Sequence, residues 1–159
     1  MNLEIVKGFS FGLTTGIITT LGMIVGLDSA THSRFAVIAG IVSVGIADAF
    51  SDALGMHISE ESELKHTRKE IWTATLFTFF AKIIFASLFI VPFLLLDLTN
   101  AVYASVAIGL AVLAVFNYFL SKEEKKNPLE VIGSHILIAI IVIIATHYVG
   151  HIVNWIASL

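Results

Sequence analysis

The chain has 159 residues, 57% of them hydrophobic and 13% charged, with mean hydropathy +0.95 and a net charge of −3. A soluble domain carries about 25% charged residues, so the composition excludes an ordinary soluble enzyme, and the negative balance argues against a nucleic-acid surface. With no cysteine in the chain, disulfides and thiolate metal sites are excluded as well.

A membrane-spanning helix needs about 20 mostly apolar residues, and lipid offers no partner to an open backbone. The sequence therefore predicts an all-α, polytopic membrane protein, one transmembrane domain over residues 1–159. Its five helices fall at about 9–27, 35–58, 71–96, 101–120 and 131–156. The first apolar run lacks a basic leader and an Ala-x-Ala end, so it reads as a permanent helix rather than a cleaved signal. It carries Gly8, Gly12 and Gly16, then Gly22 and Gly26. Small residues at this spacing let helix backbones approach closely. The run serves packing, lines a site, or meets a second chain. "DSATHSR" links the first pair of helices, "SEESELKHTRKE" the second, "DLTN" the third and "SKEEKKNPLE" the fourth. Pro92 is placed to bend the third helix, and Pro128 to start the fifth. Lys7, Lys65, Arg68, Lys69, Lys122, Lys125 and Lys126 collect on one side and only Arg34 on the other. That bias puts the N-terminus in the cytoplasm and the C-terminus on the far side.

The second helix carries the chemistry. Asp48, Asp52, Ser59 and Glu63 fall within about 60° of one another at 100° per residue, and His57 points nearly opposite to Asp48. Gly45 and Gly55 share that stripe and Met56 flanks it. A carboxylate at mid-membrane costs roughly 2.5–3.5 kcal/mol on insertion scales. It persists when protonated, paired, or holding a cation. Two such groups one turn apart share protons and raise one apparent pKa, which suits a site that exchanges a metal for protons. The competing reading is a structural ion pair. Lys82 is its obvious partner, about 16 Å into the third helix against about 13 Å for Asp48. Oxygen ligands beside Met56 suit Fe2+ or Mn2+ better than a purely hard ion.

Other polar residues carry weaker signals. Thr15 lies near the depth of Asp52, either as a hydroxyl ligand or bonded to its own helix carbonyl. Asn117 is placed for an interhelical hydrogen bond. His147 and His151 are one turn apart on the fifth helix and can hold a metal, relay protons, or simply pack. Glu60, Glu61, Glu63, His66 and Glu70 read either as a cation-collecting patch or as a charged loop.

"FGLTTGIITTLGMIVGL" (11–27) and "AGIVSVGIADAFSDALGMHISEESE" (39–63) resemble the first two helices of the vacuolar iron transporter family, and "NPLEVIGSHILIAIIVIIATHYVG" resembles its last. The resemblance implies a homodimer that exports Fe2+, and other divalents such as Mn2+, from the cytosol in exchange for protons. The metal is then cargo, with no tightly bound cofactor. The candidate metal-binding positions, read from the acidic face of the second helix and the loop after it, are Asp48, Asp52, Met56, Glu60 and Glu63. Thr15, Lys82, Glu61, His57, His147 and His151 are secondary candidates along an ion or proton path. Thr14 and Thr15 stand where the family has Asn-Asp. "SDALGM" (51–56) puts Asp52 and Met56 where the family has Met and Glu. The long metal-binding insertion after the second helix is reduced to about a dozen residues.

Enzyme readings find no support. The Asp-x-x-x-Asp of lipid head-group transferases needs an upstream Asp-Gly-x-x-Ala-Arg, and Val44 replaces the preceding Gly. No nucleophile–base pair, phosphate loop or HExxH is present. Two readings stay open: a divalent-metal transporter in the cell membrane of a prokaryote, or a non-transporting oligomeric module whose Asp pair locks helices together.

Overall fold

A computed structural model describes residues 3–123 and 125–159. Its elements are α1 (Leu3–Thr31), α2 (Arg34–Ser62), α3 (Arg68–Leu88), α4 (Ile90–Leu95), α5 (Leu98–Glu123) and α6 (Pro128–Ala157). No strand occurs among the described residues. Five segments are long and apolar enough to cross a membrane, α3 and α4 together forming one of them, Arg68–Leu95. The chain is a multi-pass integral membrane protein, as its composition required.

The helices run longer than their apolar cores. α1 and α2 are 29 residues each, so "DSATHSR" is mostly helical and the turn shrinks to His32 and Ser33. His32 takes φ 46°, a left-handed turn that ends α1. Ser33 then caps α2, its hydroxyl accepting from the Ala36 N–H at 3.3 Å. Thr67 and Glu70 form a capping box on α3. Asn127 caps α6 with Pro128 just inside it. The bend expected at Pro92 is a break. Pro92 has no N–H for the carbonyl four residues earlier, and the helix parts at the buried Phe89 between α3 and α4.

α1 is the central helix. Half of its apolar window is buried inside the protein, against 11% for α6. Leu13, Ile17, Leu21 and Ile24 of α1 form the core with residues of α2, α4, α5 and α6. Its glycines make this possible. A Cβ on Gly8 or Gly12 would collide with the Ala74 or Thr78 carbonyl of α3. The Thr78 hydroxyl donates to the Gly8 carbonyl at 3.2 Å across that contact. A Cβ on Gly22 would meet Val142 of α6 at 2.6 Å, and one on Gly26 would meet Thr146 at 3.4 Å. Both glycine runs therefore serve packing within the chain, the first of the readings the sequence left open, and not a contact between two chains.

Candidate functional site

α2 buries the stripe Ile41, Gly45, Ala49, Ala53, Met56 and Glu60 against its neighbours, and turns Val42, Ile46, Phe50, Leu54 and Ile58 outward. Asp48 and Asp52 lie at the edge of the buried stripe, their side chains 27% and 21% exposed. α3 brings Lys82 to them, and the stem of that lysine runs past Gly16 of α1, 3.4 Å from where a Cβ would stand. The Lys82 side chain is 2% exposed, and its ammonium is the part that meets the aspartates. It contacts Asp52, lies 2.7 Å from Asp48 Oδ2, and donates to Thr15 Oγ1 at 3.2 Å. An ammonium has three protons; Asp52 Oδ2 and Thr15 Oγ1 accept two of them, while Asp48 Oδ2 is an ion-pair contact without hydrogen-bond geometry. Thr15 Oγ1 reaches both Asp52 Oδ2 at 2.7 Å and the Phe11 carbonyl at 2.9 Å. The two sequence-based alternatives for Thr15 are thus both within reach of one hydroxyl.

This cluster carries two carboxylates and one ammonium. The Lys82 nitrogen occupies the position that a cation shared by the two carboxylates would take. A charge at this depth is costly unless compensated, and the pair compensates one positive charge with one negative charge left over.

A second cluster sits where α1 begins and α2 ends. Glu60 is fully buried and Glu4 nearly so. Lys7 contacts Glu60 and lies 3.4 Å from Glu63 Oε1. Leu64 takes φ 53° and reverses the chain after α2, which folds His66 back over the helix end. The His66 Nε2 is 3.2 Å from Glu63 Oε2 and 3.6 Å from Glu60 Oε2, and its Nδ1 is 3.5 Å from Glu4 Oε1. The hydrogen bond to His66, and then the Lys7 charge, hold the Glu63 carboxyl below the usual carboxylate range.

The remaining candidates are placed elsewhere. Ser59 and Glu61 are exposed, so the stripe through Ser59 is not the buried one; Glu60, one residue on, is. Glu70 belongs to the α3 cap. His57 turns toward α3, its Nδ1 3.1 Å from Thr75 Oγ1 and its ring 4.8 Å from that of Trp72. Met56 is buried on α2. Asn117 donates to the Leu113 carbonyl of its own helix at 2.8 Å, not across helices. At the opposite end, His147 Nδ1 lies 2.8 Å from Ser29 Oγ. Its ring is 4.5 Å from that of His151. With Asp28 and His32 these residues line a cavity of about 660 Å³. Glu4, Thr15 and Ser29 thus mark three polar places along α1. Thr15 is about 16 Å from Glu4 and about 21 Å from Ser29 at 1.5 Å per residue.

Glu4 and Lys7 were not visible as site residues in the sequence reading. A signal for Glu4 existed. It continues the series Gly8, Gly12, Gly16 backward by one turn, and so falls on the buried face of α1. Likewise Glu60 continues the series Gly45, Ala49, Ala53, Met56.

Fold and site together define a class: a multi-pass membrane protein whose helices enclose clusters of charged side chains. Residues 6–71 match the sequence profile of the VIT family, a family of membrane metal-ion transporters. The match covers α1, α2 and the turn into α3, so it includes Lys7, Thr15, Asp48, Asp52, Glu60, Glu63 and His66. It bears out the resemblance read in the first two helices. The chain is also 25% identical over 140 residues, 73% of each chain, to an uncharacterized protein of Methanocaldococcus jannaschii. No solved structure matches.

Proposed function

We propose that this protein carries Fe2+ or Mn2+ out of the cytosol, with Asp48 and Asp52 as the ligands inside the membrane and protons moving the other way. The observation that carries the reading is the half-open carboxylate pair, held by a single lysine inside the segment that matches a metal-transporter family. Lys82 acts as a place-holder. Its ammonium satisfies the carboxylates when no metal is present and must withdraw before a dication can bridge them. The carboxylates must also be deprotonated to bind metal, so protons and metal compete for one site. The basic end, with Lys7, Lys65 and Lys69, faces the cytoplasm in this scheme, and the His147–His151 cavity is the far mouth. Met56 is a soft ligand close to the pair in sequence.

A homodimer completes the path. Ala47, Ser51 and Gly55 are exposed on α2 beside the two aspartates, and a Cβ on Gly55 would have none of the described residues within 4 Å. Small residues on an open face fit close packing of a second helix. The second copy then closes the side of the carboxylate pair left open in one chain.

The arrangement of Lys82 also favours a second reading, in which the three-helix ion pair is a lock and nothing is transported. Proteoliposomes separate the two. The carrier moves Mn2+ down its gradient and acidifies the side that the metal leaves. A vesicle preparation that holds folded protein yet leaks no metal faster than protein-free vesicles contradicts the carrier and leaves the lock.

A further inference from the structure

We infer that Glu4, Glu60 and His66 form a separate divalent-cation site at the N-terminal end of the bundle, with Glu63 as an added ligand and Lys7 as a built-in competitor. One ligand atom from each of Glu4, Glu60 and His66 lies within 4.8 Å of the others. Metal–nitrogen and metal–oxygen bonds of about 2.0–2.2 Å hold neighbouring ligand atoms roughly 3.0–3.6 Å apart. The His66 Nε2 is 3.6 Å from Glu60 Oε2 and 3.2 Å from Glu63 Oε2, so the imidazole and two carboxylates already have that spacing.

A second observation points to a ligand. Glu60 is fully buried, and among the described residues its Oε2 receives no hydrogen bond. Leaving a buried carboxylate oxygen unsatisfied is expensive, and this one faces the His66 nitrogen across a gap of metal-bridging size. Charge agrees. Once deprotonated, as metal ligands must be, Glu4, Glu60 and Glu63 bring three negative charges and Lys7 one positive, leaving −2 with the imidazole neutral. A dication cancels that balance. One nitrogen with two or three oxygens suits a first-row divalent ion such as Mn2+, Fe2+, Co2+ or Zn2+ over Ca2+ or Mg2+.

The site ties α1 to the end of α2 and to the loop before α3, about 16 Å along α1 from the Lys82 cluster. It rests on the carrier reading only for what the ion does next, namely passing to Asp48 and Asp52; the binding itself is independent of transport.

The test is calorimetric titration of the full chain in detergent with Co2+ alone. The Co2+ absorption spectrum serves as a second readout of nitrogen ligation. Glu4→Gln, Glu60→Gln and His66→Ala should each weaken the tight site by roughly tenfold or more, since even loss of an outer partner commonly costs about 10–100-fold. His66→Ala should also change the spectrum. Lys7→Gln should tighten binding, an outcome that a merely structural cluster would not give. Asp52→Asn should keep the site intact. Because Glu60→Gln removes a buried charge and can fail to fold, the partly exposed His66→Ala and Lys7→Gln variants carry the test alone if needed. No tight Co2+ site in the wild type, or a site that survives all three ligand changes or disappears with Asp52→Asn, overturns the inference. A site that behaves as stated in a protein that moves no metal leaves the inference standing and removes the carrier.

Discussion

Lys82→Met is the substitution that the site responds to most sharply. Methionine keeps most of the stem volume beside Gly16 and removes the ammonium that contacts Asp52, Asp48 and Thr15. Breaking a buried ion pair by deleting one partner costs about 3–5 kcal/mol, because the other partner is left uncompensated. Here the two aspartates are about a quarter exposed. Part of their charge can therefore be solvated, which argues for the lower end, about 3 kcal/mol. The same logic predicts rescue. With Asp52 also neutralised, one carboxylate and no ammonium remain, so Lys82→Met with Asp52→Asn should lose far less than the sum of the single changes. The double-mutant cycle, read by unfolding in mixed micelles, should give a coupling energy of about 1–3 kcal/mol. Additive losses would refute the pairing on which the whole site is built.

Two further outcomes follow from other parts of the chain. Gly55→Leu should leave the monomer folded, since none of the described residues lies within 4 Å of the new Cβ, but should shift the oligomer toward monomer in cross-linking or light scattering; an undisturbed dimer would place the interface elsewhere. Asp97 caps α5, its Oδ2 accepting from the Asn100 N–H at 3.2 Å, and that bond holds its carboxyl below the ordinary value of 3.8. A lowered pKa in the folded state stabilises above the ordinary value and stops doing so as pH falls through the lowered one. Asp97→Ala should therefore reduce thermal stability at neutral pH and make little difference once the pH is well below 3.8; a pH-independent difference would contradict the cap.

The five spans and the pairing of Asp48 and Asp52 with Lys82 were legible in the sequence because each follows from one strong energetic demand. Twenty apolar residues need lipid, and a charge at mid-membrane needs a counter-charge at equal depth. The role of the α1 glycines was not legible. Spacing tells that a close contact forms and says nothing about whether α3, α6 or another chain makes it. Glu60 stood among the candidates, but the inward stripe at the end of α2 was drawn through Ser59 and Glu63 instead of through it. Asp48 and Asp52 sit at the edge of the buried face, and extrapolating from an edge selects the wrong residues by about one position. Glu4 was passed over because a charge about five residues outside the predicted first span normally lies in water. The helix extends to Leu3, however, and carries Glu4 onto the same buried face as Gly8.

The central claim is that metal crosses at the α2 carboxylates, and the most direct test is the initial rate of Mn2+ uptake into vesicles by wild type and Asp52→Asn, matched for folded, inserted protein. The substitution keeps the size and a hydrogen-bonding group beside Thr15 and Lys82 while removing the charge that a dication must bind. The account predicts transport by the wild type and a rate at the protein-free background for Asp52→Asn. Uptake at the wild-type rate by Asp52→Asn would contradict it.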